Sequence, residues 1–70
     1  MVNESQLDTV FAALSDPTRR RMIERLAHKP LTVGEIASEF RISQPAISKH
    51  VRVLEQSGLI QRVIVGRTHV

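Results

Sequence analysis

The side chains with chemical reach lie together in residues 43–52, Ser-Gln-Pro-Ala-Ile-Ser-Lys-His-Val-Arg. The Gln44 amide can present itself to the N6 and N7 edge of an adenine. Ser48 is small enough to let a helix lie deep in a groove, and its hydroxyl can bond a base edge or a phosphate. Lys49 and Arg52 reach phosphates or guanine. The free N–H groups of a helix start near Ser43 and Gln44 can hold another phosphate. Pro45 cannot donate, but in a first helical turn it loses nothing by that. Plainer uses compete with these. Ser43 is above all a helix cap, and His50 suits packing or a hydrogen bond at least as well as DNA contact. Catalysis finds no footing. The chain offers no carboxylate pair, no Cys-His arrangement and no Gly-rich phosphate loop, and His28, His50 and His69 fall on separate elements without ligand spacing. Neither an enzyme nor a metal or cofactor is expected.

A helical reading of residues 44–56 sorts this stretch into two sides. With Ile47 at the centre of the buried side, Val51 and Leu54 lie within about 40° of it at ~100° per residue. Ser48, Arg52, Pro45 and Lys49 take the opposite arc, Gln44 lies on its flank, and His50 sits at the edge of the buried arc. No carboxylate occurs on the outer face before Glu55. Solvated helix faces tend to mix both signs of charge. Here acid is missing from the end that would approach phosphate.

The elements that must hold this face follow from periodicity and caps. Leu7, Val10, Phe11 and Leu14 have the i, i+3, i+4, i+7 spacing of an amphipathic helix over about 4–14, with Asn3 and Gln6 as a capping box. Those four side chains fit a core or a dimer contact equally. Asp16-Pro17 opens a second helix, about 17–28, with Met22, Ile23, Leu26 and Ala27 as its buried stripe, and Lys29-Pro30 ends it. Arg19, Arg20 and Arg21 read as a solvated run, one of them pairing with a carboxylate such as Asp16 or Glu24, with a phosphate contact as the alternative. Thr32 and Glu35 form a capping box for a helix at about 33–40 that buries Ile36, Ala37 and Phe40. Ser43 caps the fourth helix, with Ile42 and Ile47 as its hydrophobic staple, and Gly58 stops it.

Beyond Gly58, LIQRVIV alternates and is β-branched, so it predicts a strand. Gly66-Arg67 suits a two-residue hairpin turn, with THV returning. An arginine at such a tip is well placed for phosphate or the minor groove. The fold class expected is mostly α with a small β-hairpin. It is a winged helix-turn-helix of order α-α-α-α-β-β in a single domain over 1–70, with the helix-turn-helix at about 33–57 and the wing at about 59–70. The short returning strand suggests that a C-terminal segment is missing.

Composition bounds the partners. Seventy residues make one domain with a small core, and without cysteine no disulfide can staple it. Oligomerisation is the natural source of further stability. The net charge is +3, and arginine supplies eight of the ten Lys and Arg residues. Arginine favours fork-like contacts to phosphate or guanine. Phe11 and Phe40 are the only aromatics, too few for a base-stacking single-strand or RNA platform. No signal peptide or membrane span is evident, so a cytoplasmic protein is expected.

Three marks, ALSDPTRRRMIERL, SQPAISKHVRVLEQSGLI and the VGR turn, together make the chain from about Leu7 onward resemble the winged-helix repressors of the ArsR/SmtB type. The resemblance implies a homodimeric transcription repressor on a palindromic operator in double-stranded DNA. It implies that Ser43, Gln44, Ser48, Lys49 and Arg52 lie on the DNA face, and His50 matches the histidine of the family's S-K-H pattern. Many members sense metals through a Cys-x-Cys where this chain has Thr32 and Gly34, so it looks like a metal-free branch. The family's C-terminal dimer helix has no counterpart here, which leaves the first helix, with Leu7, Val10, Phe11 and Leu14, as the dimer candidate. The competing reading is a winged-helix protein-interaction module, which would be expected to expose Leu, Phe or Tyr anchors on the docking face.

Overall fold

Local capping decides where most elements begin. The computed structural model describes residues 4–61, together with the backbone of 63–65 and 67–69. The first helix, α1, is Glu4–Leu14; its expected cap Asn3 lies outside the described residues. In α1 the buried residue is Ala13, while Val10 and Leu14 are half-buried and Leu7 and Phe11 are exposed.

The second helix, α2, is Pro17–Leu26, and the Asp16 carboxylate caps it by accepting the Arg19 N–H at 2.9 Å. That hydrogen bond holds the Asp16 carboxyl below its ordinary range against the opposing effect of burial, with the charges of His50 and Arg19 adding to the lowering. A carboxyl with a depressed folded pKa contributes stability above its unfolded pKa and loses it as pH falls through the folded value. Asp16→Ala is expected to cost about 1 kcal/mol at neutral pH. Asp16→Asn should keep most of the cap but lose the share of the acid fall in stability that Asp16 contributes, as thermal melts of variant and parent between neutral and acid pH would show.

Helix α2 ends two residues earlier than the sequence pattern suggested, and Ala27 is exposed rather than part of the buried stripe. The last turn tightens, with the His28 N–H donating to Arg25 O at 3.1 Å. The chain is already leaving the helix because Pro30 forces Lys29 out of helical conformation. Leu31, just beyond, is 4% exposed and belongs to the core.

In α3, Val33–Phe40, the capping box is complete. Thr32 Oγ1 accepts the Glu35 N–H at 3.1 Å and the Glu35 carboxylate accepts the Thr32 N–H at 2.8 Å. The helix closes where Arg41 turns left-handed, so that Arg41 N–H reaches Ser38 O and Ile42 N–H reaches Ala37 O. Among the described residues Arg41 is the one non-glycine with positive φ, at 57°. Left-handed backbone costs an ordinary L residue about 1–2 kcal/mol. Arg41→Gly removes that strain and adds some unfolded-state entropy, for a net gain of about 0.5 kcal/mol. A melt should show a rise of about 2–4 °C.

Helix α4, Gln44–Gln56, starts at Ser43, whose Oγ accepts the Ala46 N–H at 3.4 Å. It packs on α3 and α1, and Ile47, Val51 and Leu54 are fully buried. With Ala13, Met22, Leu31, Ile36, Ala37 and Phe40 they form one apolar core. Gly58, at φ 80°, ends α4, with Gly58 N–H on Glu55 O at 3.0 Å and Leu59 N–H on Leu54 O at 3.1 Å. That closure uses the Leu59 N–H, so residues 59–61 are not the strand their alternation suggested.

The backbone of β1, Val63–Val65, pairs antiparallel with β2, Arg67–His69, in the register Val63↔His69, Ile64↔Thr68 and Val65↔Arg67. Arg67 therefore stands in β2 opposite Val65 rather than in the turn, and residue 66 lies outside the described residues. No helix among the described residues is long and apolar enough to cross a membrane.

Candidate nucleic-acid interface

The buried stripe of α4 fixes what its other side presents. With Ile47, Val51 and Leu54 inside, Ser43, Gln44, Pro45, Ser48, Lys49 and Arg52 are all exposed. Lys49 and Arg52 have no hydrogen-bond or ion-pair partner among the described residues, so their charge is available to an outside anion. Pro45 falls in the first turn, where its missing N–H breaks no helical bond. The Gln44 amide lies over the first turn of α3, with Nε2 3.5 Å from where a methyl on Gly34 would sit.

His50 differs from these residues. It is half-buried, and its Nδ1 lies 3.3 Å from Nη1 of Arg19. The same guanidinium donates from Nε to Ala13 O at 2.7 Å and from Nη2 to Ala12 O at 3.1 Å. Arg20 Nη1 donates to Leu14 O at 2.6 Å. Arg21 stacks over the Phe40 ring, 4.6 Å from its centroid.

The arginine run is therefore not a plain solvated face, and among the described residues none of its guanidinium groups forms a salt bridge with Asp16 or Glu24. The physical reason is the corner between α1 and α2. The last carbonyls of α1 have no partner within their own helix. The corner brings them to the first turn of α2, while the Asp16 carboxylate is occupied by its cap. The guanidinium that does meet a carboxylate is Arg25, which pairs with both oxygens of Glu39 at 2.6 and 2.8 Å. Their hydrogen bonding raises the Arg25 pKa and lowers that of Glu39. The pair is solvent-exposed, so screening keeps its contribution small.

On α1, Leu7 is 44% and Phe11 66% exposed, with Val10 and Leu14 half-buried beside them. Two large apolar side chains in water on one short helix form a face without a cover among the described residues.

A family described as a helix-turn-helix domain matches residues 14–63. The chain is 49% identical over 53 residues to the HTH-type transcriptional regulator Rv2034 of Mycobacterium tuberculosis, covering 76% of this chain and 50% of that protein. It is 44% identical over 54 residues to the transcriptional repressor SdpR of Bacillus subtilis, covering 77% and 60%. A crystal structure of an ArsR family transcriptional regulator superposes with a TM-score of 0.83 at 41% identity, covering 97% of this chain and 70% of that one. The chain belongs to the ArsR/SmtB family of transcriptional regulators.

An ArsR-like transcriptional regulator from Rhodococcus sp. RHA1 gives a TM-score of 0.88 at 36% identity, covering 93% of this chain and 61% of that one. The match from residue 14 to 63 takes in α2, α3 and α4 of this ArsR/SmtB chain. The chain spans 50% and 60% of the length of the two curated relatives named above. In this member Thr32 and Gly34 occupy the start of α3, and the Thr32 hydroxyl is engaged in the capping box.

Proposed function

We propose that this chain is the DNA-binding part of a homodimeric repressor that reads a palindromic operator. The observation that carries the reading is the exposed, acid-free face of α4. Gln44 and Ser48 meet base edges in the major groove, and Lys49 and Arg52 hold phosphates or guanine. Ser43 and the first N–H groups of α4 cradle a phosphate while Pro45 lets the backbone come close. The strand pair after α4 acts as the wing, with Arg67 touching phosphate or the minor groove.

The dimer forms through α1. Leu7 and Phe11 supply its exposed apolar centre and Val10 and Leu14 its half-buried margin. Two recognition helices about 34–36 Å apart then match successive turns of one DNA face. With Thr32 and Gly34 at the start of α3, this member works without the thiolate metal site of that helix. A protein-docking role for α4 is less well supported, because its outer face carries no exposed Leu, Phe or Tyr.

Selection of duplexes from a random library tests the whole reading. The expected product is a palindrome with half-sites about 10–10.5 base pairs apart. Binding should weaken steeply with salt. Selection of nothing, or binding indifferent to salt, would overturn it.

A further inference from the structure

We infer that Arg19 is a positioning residue that sets the rotation of α4 through His50, so that it governs which sequence is read rather than how tightly DNA is held. The inference rests on the DNA-binding reading above. Three helices converge on this one side chain. Its backbone N–H is fixed by the Asp16 carboxylate at the start of α2. Its Nε and Nη2 take the Ala13 and Ala12 carbonyls at the end of α1, where Ala13 is fully buried. Its remaining arm, Nη1, meets His50 Nδ1 at 3.3 Å.

A guanidinium only donates, so Nδ1 must be the acceptor and the imidazole proton sits on Nε2. Lysine could not replace this fork, because one ammonium on a flexible stem does not hold three acceptors in a fixed plane.

The place of His50 on α4 gives the contact its consequence. Much of the grip on α4 is apolar packing through Ile47, Val51 and Leu54, and Glu55 near its far end is engaged as well. Such packing is strong but weakly directional. The bond at His50 is directional, and it lies at the edge of the buried arc, where it opposes a roll of the helix about its axis. Short side chains such as Ser48 lose their base partner when α4 rolls. Lys49 and Arg52, on long stems, still find phosphate.

The test compares each variant on two duplexes, the one selected by the unaltered chain and a scrambled duplex of the same composition. Arg19→Lys and His50→Gln should each lose roughly tenfold on the selected duplex. On the scrambled duplex they should stay within roughly twofold. His50→Asn, whose amide oxygen can stand near the Nδ1 position, should recover most of what His50→Gln loses. Equal losses on both duplexes would overturn the inference, as would identical behaviour of the Asn and Gln variants.

Imidazole nitrogen NMR of the unaltered chain gives a second reading that needs no DNA. In alkaline buffer, Nδ1 unprotonated with Nε2 protonated supports the contact, and a proton on Nδ1 there overturns it. Should no duplex be selected, the DNA-binding reading falls alone, and the NMR result still decides the contact.

Discussion

Ile47→Ala is expected to leave the chain largely unfolded at 25 °C, without a cooperative melt and without DNA binding. Ile47 is fully buried in the single core, on the helix that packs against both α3 and α1. Truncating a buried isoleucine costs about 2–5 kcal/mol, of which part is lost transfer energy and part the cavity left behind. A core of this size supplies no more than about 3–5 kcal/mol. The loss is therefore comparable to the whole, and this chain has no disulfide to offset it. Ile47→Val removes one methylene for about 0.5–1.5 kcal/mol and should keep the fold. Circular dichroism with thermal melts separates the two. An Ile47→Ala variant that melts cooperatively near the parent temperature would show that this site collapses without a cavity, and that the core depends less on α4 than its burial implies.

Such dependence was readable in the sequence wherever the controlling interaction is local. The Thr32–Glu35 box spans three residues, and Asp16 and Ser43 each cap an N–H three residues on, so the pattern carries its own partner. The buried stripe of α4 was legible for the same reason, since helical period alone puts Ile47, Val51 and Leu54 on one side. Period says that a face is apolar without saying what covers it, and so in α1 it leaves core and dimer contact equally open, Phe11 being two-thirds exposed in the single chain. Leu31, a lone apolar residue between Pro30 and Thr32, has no period at all, although it is core.

Arg19 was misread for a different reason. Its partners are two backbone carbonyls six and seven residues back and an imidazole thirty-one residues ahead. No pattern of residue types encodes a carbonyl. The one available hint was a helix ending at Leu14 without a basic residue in its last turn, followed shortly by an arginine run.

The second large effect expected is a division of labour on the outer face of α4. Gln44→Ala should cost about 1–3 kcal/mol against the selected duplex and relax preference at one base pair only, because a bidentate amide reads one adenine. Lys49→Ala should weaken every duplex alike and reduce the slope of log affinity against log salt by about one unit, since one phosphate contact is lost. The two variants leave the core untouched, because both side chains are exposed, so their melts should match the parent. For Arg52, one turn further along, the same pair of readouts distinguishes a phosphate contact from a guanine contact. The Gln44 Nε2 lies 3.5 Å from where a methyl on Gly34 would sit, so a glycine there leaves the amide room to turn toward a base. A Gln44→Ala, Arg52→Ala double variant that retained full operator affinity would remove this face from the interface altogether. The acid-free surface of α4 would then be an accident of composition rather than the part of the molecule that enters the groove.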